Sequence, residues 1–321
     1  MRHRLPLYLL AGGAAFAAGS WLIARSLARR LISAGGLAPA QTRREDLLAA
    51  LAAAGARVHD YRFAGAGRSP VELAAIFATP GAPSARGTIL FLHGKGGNAA
   101  EWEPDAVRAL AQGYNALVPD LRGHPPSRGD FVTYGFLEKD DLENAIAAAE
   151  RFGLDRRRVA VHSCSAGSSI ALAWAADNPH VRGIWLESPF ADAREMARHY
   201  LAIATGIPAW LLGLTTYLAV RRAREMIRRA LVLPAGSDEG TANPLTAAGR
   251  LRAPVCLVYG ERDRLVPPHF TRRLIEALPA DTIIWNPRGA GHCHHADEPE
   301  KVLPEEYAAR WTAFFLRAFA A

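Results

Sequence analysis

The chain has 321 residues, half of them apolar, which is enough to bury the core of one large α/β domain or two smaller ones. Its net charge is +7, and residues 1–44 carry seven arginines and no acidic residue, so the rest of the chain is neutral overall. A nucleic-acid-binding domain would present a basic face of its own. The charge distribution therefore argues against nucleic acid as a partner.

The N-terminal segment has the character of a membrane helix. Residues 5–24, LPLYLLAGGAAFAAGSWLIA, are uncharged and lie between arginines, and twenty such residues match a hydrocarbon core of about 30 Å. The alternative is a cleaved signal peptide with Ala15-Phe16-Ala17 as its small-x-small site. Because the apolar run continues beyond that site, we predict an uncleaved single-pass anchor. More arginines follow this segment than precede it, which favours the cytoplasm for the main domain.

The chain is expected to have three parts: residues 1–35 as anchor or signal segment, 36–56 as helical linker, and 57–321 as an α/β domain. Strand-like runs in the last part are VHDYRF, VELAAIFATP, GTILFLHG, NALVPDL, RVAVHS, GIWLESP, PVCLVYG and DTIIWNP. Helical patterns lie between the later runs, and a last helix at residues 304–321 has aromatic residues on one side. This alternation predicts a mostly parallel eight-stranded sheet with an antiparallel start and helices on both faces.

An insertion at about residues 191–250 interrupts the alternation. Its residues 200–220, YLAIATGIPAWLLGLTTYLAV, are uncharged and long enough for a second membrane span. A single crossing here would place neighbouring strands of one sheet on opposite sides of the bilayer, so we expect a helical cap over the carboxyl edge of the sheet. The arginines that follow could rest on a membrane interface, although a solvated cap face is favoured.

A candidate nucleophile lies in AVHSCSAGSSIAL, residues 160–172, between a predicted strand and a predicted helix. A catalytic serine at such a turn needs small residues two positions before and after it, because strand and helix approach closely there. Ser165 meets this requirement with Ser163 and Gly167. The competing nucleophiles do not: Ser163, Ser168 and Cys164. The turn therefore predicts Ser165 as the nucleophile, with a serine where the usual pattern has its first glycine.

At this point residues 57–321 resemble the α/β-hydrolase family. GTILFLHGKGG resembles the family's His-Gly oxyanion loop, and NALVPDLRGHPPS its Pro-Asp-x-Arg-Gly-His-Gly-x-Ser stretch, with Pro125 in place of a glycine. LVYGERDRLVPP resembles the segment with the family's acid, and RGAGHCHH the loop with its histidine. Four motifs in this order are more specific than any one of them. The closer resemblance is to membrane-anchored bacterial members, which implies an inner-membrane location.

The resemblance implies a triad of Ser165, Asp263 and His292, in the chain order that this fold uses. Asp263 follows a predicted strand at its carboxyl end, where it could also be an ordinary turn aspartate. His294 and His295 remain alternatives to His292, which is favoured because it follows the Gly-x-Gly turn.

Two peptide groups are expected to bind the oxyanion of the reaction. They are the N–H groups of Ala166 and of Lys95, which follows His93 and Gly94. The Lys95 ammonium could attract anionic substrates but is expected to extend to solvent. His124 and His162 are expected to be structural.

The cysteines Cys164, Cys256 and Cys293 do not form a disulfide framework, which agrees with a reducing compartment. Cys164 and Cys293 adjoin two proposed catalytic residues and could therefore lie close together. A redox switch is one interpretation, and inert buried thiols are favoured. The spacing shows no metal-type cysteine pairing, and neither a metal nor a cofactor is expected.

These residues predict a serine hydrolase, carboxylesterase-like or lipase-like, that cleaves an ester, thioester or amide through an acyl-enzyme. Its expected partners are an acyl or lipid-like substrate and the membrane. An acyltransferase using the same intermediate is an alternative, and so is an inactive, membrane-tethered binding module. Ser165 excludes the variant of this chemistry that uses an aspartate nucleophile.

Overall fold

The computed structural model describes residues 5–35, 42–81, 86–230 and 243–320, with side chains from residue 19 onward in the first helix. The chain divides into two compact units. The helical unit contains Met1–Ser33 and Ala193–Ser237, and the sheet unit contains Ala34–Asp192 and Asp238–Ala321. All the candidate catalytic residues belong to the sheet unit.

The described residues form one sheet of eight strands: β1 (Arg57–Ala64), β2 (Glu72–Thr79), β3 (Thr88–Leu92), β4 (Asn115–Asp120), β5 (Val159–Cys164), β6 (Ile184–Glu187), β7 (Val255–Val258) and β8 (Ile283–Trp285). Their order is β1-β2-β4-β3-β5-β6-β7-β8. β2 pairs antiparallel with β1 and β4, and the other pairings are parallel. The predicted α/β fold with a mostly parallel sheet and an antiparallel start is confirmed.

The described α-helices are α1 (Leu5–Ile32), α2 (Arg44–Ala53), α3 (Glu103–Ala111), α4 (Glu138–Glu150), α5 (Ala166–Asp177), α6 (Ala193–Thr205), α7 (Gly213–Ala230), α8 (Pro244–Ala248), α9 (Pro268–Ala277), α10 (Pro299–Val302) and α11 (Pro304–Ala320). Short 3₁₀ helices precede α3 and α7, at Ala99–Trp102 and Ala209–Leu212.

Side chains that alternate along the buried strands divide the core of the sheet unit into two layers. On β3, Leu90 and Leu92 pack with α4, α5, α8 and α9, whereas Ile89 and Phe91 pack with α2, α3 and α11. The aromatic residues expected on one side of the last helix lie in the second layer. Helices on both faces leave the carboxyl ends of the parallel strands as the place for a site.

Helix α2 belongs to the sheet unit and is packed as part of its core. Leu47 and Leu51, four residues apart on one helical face, are completely buried in the second layer. Arg44 pairs with Asp60 of β1 at 2.7 Å and with Asp120 at the end of β4. The segment predicted to be a linker therefore contains a core helix.

The insertion between β6 and β7 contributes α6 and α7 to the helical unit, where they pack with α1. Its coverage of the sheet's carboxyl edge stays a prediction.

The segment predicted as a membrane anchor, residues 5–24, is helical within α1, but the side chains of residues 5–18 lie outside the described part. Among the described residues no single helix is long and apolar enough to cross a membrane. The pair Ala193–Thr205 and Ala209–Arg229, bent by 117°, has the necessary length and composition. The anchor is thus not supported by a described span.

Candidate active site

Ser165 lies on a sharp turn between β5 and α5, in the segment of residues 163–167 that we call the nucleophile turn. Its φ of 52° and ψ of −117° fall in a region that costs a non-glycine residue about 1–3 kcal/mol. The Ser165 N–H donates a 2.8 Å hydrogen bond to the Glu187 carbonyl oxygen at the end of β6. This arrangement holds a half-buried serine at the carboxyl end of β5.

Close packing explains the small residues of the nucleophile turn. A Cβ atom on Gly167 would lie 2.4 Å from the carbonyl oxygen of Leu92 and 2.6 Å from that of His93. The Ser163 side chain is buried, with its Oγ 3.3 Å from both Ser168 Oγ and the Trp185 carbonyl oxygen. The turn thus accommodates a serine two positions before Ser165, where the hydroxyl finds polar neighbours.

Asp263 and His292 meet directly. His292 Nδ1 lies 2.7 Å from Asp263 Oδ2, and Asp263 Oδ1 accepts the N–H groups of Leu265 and Val266 at 2.9 and 2.8 Å. Burial raises the pKa of the Asp263 carboxyl, but hydrogen bonds from His292, Val266 and Ser188 and the His292 charge outweigh it and leave the pKa below its usual value. The carboxylate therefore stays ionised and can orient the imidazole.

The surroundings of His292 differ from those of the two other histidines of its loop. His294 is half-buried, and burial lowers its pKa to about 3. Its ring stands edge-on to Trp102, 4.4 Å between centroids. Burial also lowers the pKa of His295, whose ring lies 5.2 Å from that of His292. Of the three, His292 is the one with the hydrogen bond to Asp263.

A disulfide joins the nucleophile turn to the segment of residues 289–298, which we call the histidine loop. It links Cys164 to Cys293, with 6.2 Å between their Cα atoms, and both residues are buried. The expectation of free thiols is wrong for this pair, so the cysteine count no longer favours a reducing compartment. Because Cys164 precedes Ser165 and Cys293 follows His292, the bond holds Ser165 and the His292 imidazole in one neighbourhood.

This neighbourhood also contains a possible metal-ligand set. A His292 ring nitrogen and the sulfurs of Cys164 and Cys293 lie within 4.8 Å of one another. The two sulfurs are bonded to each other, which removes the thiolates that a metal would need. As described, the cluster fits a covalent link rather than a metal centre.

Two buried histidines shape the His-Gly loop after β3. His93 Nε2 accepts the Leu121 N–H at 3.0 Å, so its Nδ1 donates to the Gly94 carbonyl oxygen at 2.8 Å. His124 Nε2 accepts the Gly96 N–H at 3.1 Å. Burial lowers the pKa of both rings, which remain neutral and can accept these bonds. A Cβ on Gly94 would lie 3.3 Å from the Ser165 Cβ, so this loop passes beside Ser165.

Two charged side chains flank the His-Gly loop. Burial lowers the pKa of Lys95 to about 8. Glu101 lies in the 3₁₀ helix that follows, and burial raises its pKa to about 7. The Glu298 charge also raises this pKa, whereas the hydrogen bond from the Asn98 N–H and the His292 charge lower it. Glu101 was not found by sequence reasoning, because its position near His292 depends on the tertiary fold.

A buried polar network supports the nucleophile turn from below. Glu187 Oε1 lies 3.0 Å from His162 Nε2 and accepts hydrogen bonds from Tyr307 at 2.6 Å and Trp185 at 2.8 Å. Burial raises the pKa of Glu187, but these hydrogen bonds and the His162 charge bring it to about 2. The Glu187 carbonyl oxygen also accepts from Ser168 Oγ at 3.1 Å. His162 thus lies in a network beneath the turn.

The sequence of the chain matches a protein family and individual known proteins. Residues 89–305 match the Alpha/beta hydrolase family. A monoacylglycerol lipase of Mycolicibacterium smegmatis is 25% identical over 248 residues, covering 70% of this chain and 88% of that protein. The uncharacterized protein YqkD of Bacillus subtilis is 27% identical over 192 residues, covering 59% of each chain. The match thus spans less than two thirds of YqkD.

Solved structures share the fold. An esterase of Pyrococcus furiosus has a TM-score of 0.65 at 20% identity, covering 89% of this chain and 98% of its own. A membrane phospholipase A, a bacterial virulence factor, has a TM-score of 0.55 at 20% identity, covering 100% of this chain and 99% of its own. At such identities the likeness shows the fold alone. Together with the family match over residues 89–305, it leads to one conclusion: the chain belongs to the α/β-hydrolase family.

Proposed function

We propose that this hydrolase is a serine hydrolase that cleaves a carboxylic ester through an acyl-enzyme on Ser165. The observation that carries the proposal is the 2.7 Å contact between His292 and Asp263, tied by a disulfide to the turn that holds Ser165. A serine hydroxyl becomes a competent nucleophile when a positioned base takes its proton. These three residues are of the types and in the chain order that this chemistry uses.

The reaction would begin when Ser165 Oγ attacks the substrate carbonyl carbon and its proton passes to His292 Nε2. The ionised Asp263 holds the other ring nitrogen and stabilises the imidazolium. Collapse of the tetrahedral intermediate breaks the ester bond, and His292 returns the proton to the departing alcohol. Water then attacks the acyl-enzyme by the same route, which releases the acid and regenerates Ser165.

The oxyanion would be held by two peptide N–H groups. Ala166 is the first residue of α5, whose N-terminal peptide groups carry partial positive charge. Lys95 supplies the second N–H from the loop that neutral His93 and His124 hold. Donors already in place stabilise the charge that develops on the carbonyl oxygen without reorganising during the reaction.

An acyl ester of lipid-like character is the proposed substrate class. The relatives support this choice, since they include a monoacylglycerol lipase, an esterase and a membrane phospholipase A. The predicted anchor at residues 5–24 would keep the site near membrane lipids. Thioesters and amides would react through the same intermediate.

Two observations favour different compartments for the sheet unit. We propose a single-pass anchor, for which the arginine count favours the cytoplasmic side. The Cys164–Cys293 disulfide favours an oxidising compartment. A membrane-impermeant maleimide applied to intact cells that express Leu316→Cys, an exposed position of the sheet unit, separates the two orientations.

The proposal is tested by labelling with a fluorophosphonate probe. Wild type should label, whereas Ser165→Ala and His292→Ala should not. Ser169→Ala is the matched control, because its buried Oγ has no hydrogen-bond partner among the described residues and lies outside the proposed machinery. A folded wild type that stays unlabelled would favour the inactive binding module. Product analysis with added alcohols or amines distinguishes hydrolysis from acyl transfer.

A further inference from the structure

The exposed apolar surface of the described protein is concentrated in the helical unit. Among the described residues of the sheet unit, the large exposed apolar side chains are Ile284 and Leu316. The helical unit exposes a larger set, namely Trp21, Leu22, Ile23, Ile203, Trp210, Leu211, Leu214 and Tyr217. Trp210 is 79% exposed. A concentration of this kind marks a surface that meets another apolar partner.

Five of these side chains lie on the bend between α6 and α7, which we call the helical tip (residues 203–217). The opposite side of the bend is already occupied. Leu201, Leu212 and Ala219 pack with one another and with Ala24, Leu27 and Leu31 of α1. The exposed side chains of the helical tip therefore point away from the core of their own unit.

Helix α7 shows this division along its length. Leu212, which directly precedes the helix, and Thr216, Ala219 and Ala223 within it follow one another at helical spacing and are buried. The other stripe, Leu214, Tyr217, Arg221 and Arg224, is exposed, apolar near the helical tip and basic beyond it. Seven residues separate Leu214 from Arg221, which is about 10 Å along a helix. This distance matches the depth to which interfacial helices bury apolar side chains below lipid headgroups.

The positive charge beside the helical tip indicates which type of lipid it would bind. Residues 221–229 carry five arginines and one acidic residue, Glu225. Glu225 lies 2.8 Å from Arg228 and also pairs with Arg229, so it neutralises only part of this charge. Tryptophan and tyrosine, here Trp210 and Tyr217, are the side chains enriched at membrane interfaces. Apolar residues at the tip and arginines one to two turns behind suit anionic phospholipids.

We propose that the helical tip inserts into the interfacial layer of an anionic phospholipid bilayer, with the exposed Arg221 and Arg222 at the level of the lipid phosphates. This contact is separate from the predicted anchor at residues 5–24 and does not depend on the proposed ester hydrolysis. A second copy of the chain fits this surface less well, because two arginine-rich surfaces would repel each other.

The test places an environment-sensitive label on Leu214→Cys in the full chain, reconstituted in vesicles that contain phosphatidylglycerol and nitroxide-labelled acyl chains. Leu316→Cys is the matched control, a leucine with similar exposure on the sheet unit. The native cysteines should not react, because Cys164 and Cys293 form a disulfide and Cys256 is buried. We expect the acyl-chain nitroxides to quench the label at Leu214→Cys and to leave the label at Leu316→Cys bright.

A second variant tests the charge. Arg221→Gln combined with Arg222→Gln should reduce the ratio of inserted to withdrawn label about 30-fold for the two arginines. Vesicles of phosphatidylcholine alone should also lower the ratio of inserted to withdrawn label. An unquenched label at Leu214→Cys in protein with wild-type thermal stability would overturn the proposal. Energy transfer between labels on different copies without lipid quenching would also overturn it, and would assign the surface to a second copy.

Discussion

The nucleophile turn and the histidine loop each supply one candidate catalytic residue and one cysteine, but they are held by different means. The nucleophile turn is fixed by backbone contacts, namely the strained Ser165, its N–H on Glu187 and the close approach of Gly167 to β3. The histidine loop is fixed by side chains, namely the carboxylate of Asp263 and the disulfide. Sequence pattern can reveal the first kind of support, whereas the second depends on partners distant in the chain.

The largest expected effect comes from removing the reactive groups themselves. Ser165→Ala and His292→Ala should each reduce kcat for a chromogenic ester about 10⁶-fold, and the double variant should be no worse than either. Asp263→Asn should cost about 10⁴-fold, because the imidazole loses its orientation. Independent, multiplicative losses in the double variant would contradict joint action of the two segments.

Opening the disulfide tests the link between the two segments. Cys164→Ser combined with Cys293→Ser should lower the free energy of unfolding by about 2–5 kcal/mol, as for other disulfides that close long loops, and should lower kcat because the histidine loop loses a constraint. The measurements are urea denaturation and ester hydrolysis. A dithiol reductant should affect wild type and Cys256→Ala alike and leave the double variant unchanged. Full activity and stability after reduction would show that the link is dispensable.

A pair of glycines distinguishes backbone from side-chain support. A Cβ on Gly167 would lie 2.4 Å from a backbone oxygen, whereas a Cβ on Gly291 would lie 2.2 Å from the Asp297 side chain, which can rotate away. Gly167→Ala should therefore destabilise the fold by about 1–3 kcal/mol, and Gly291→Ala by less. Thermal unfolding of the two variants beside Gly213→Ala, whose Cβ would meet nothing within 4 Å, gives the comparison. Equal losses would contradict the distinction.

The smallest effect concerns Glu101 beside His292. Because its pKa in the fold, about 7, lies above the ordinary value of 4.5, its contribution to stability is complete at acidic pH and is lost as pH rises through 7. Glu101→Gln cannot titrate and should not show this loss. The stability of the variant relative to wild type should therefore increase as the pH rises from 5 to 8, by the amount that one titrating group contributes. Parallel stability curves across this range would show that Glu101 does not titrate there.

The sheet and the nucleophile turn could be predicted because their signals are local. Alternating strand and helix patterns give a parallel sheet, and small residues around Ser165 reflect a close approach between β5 and α5. His292 was preferred over its neighbours by position in a motif. The structure adds a physical reason, since His292 contacts Asp263, whereas the His294 ring packs edge-on against Trp102.

Long-range features were not accessible in the same way. The disulfide joins residues 129 positions apart, so the sequence could suggest proximity but not a bond. Helix α2 looked like a linker because its alanine-rich pattern does not show that Leu47 and Leu51 pack onto the sheet. The pKa of Glu101 depends on burial and on Glu298 and His292, both remote in the chain.

The most direct test of the central claim is the mass of the covalent intermediate. Wild type would be mixed with an activated acetyl ester, quenched in acid, reduced and digested with trypsin. The acetyl group should be found on Ser165, in the peptide of residues 159–182, and should be absent from Ser165→Ala and from enzyme left to turn over before quenching. Acetylation of Lys95 alone, or a burst of alcohol release without any adduct on Ser165, would contradict an acyl-enzyme on this serine.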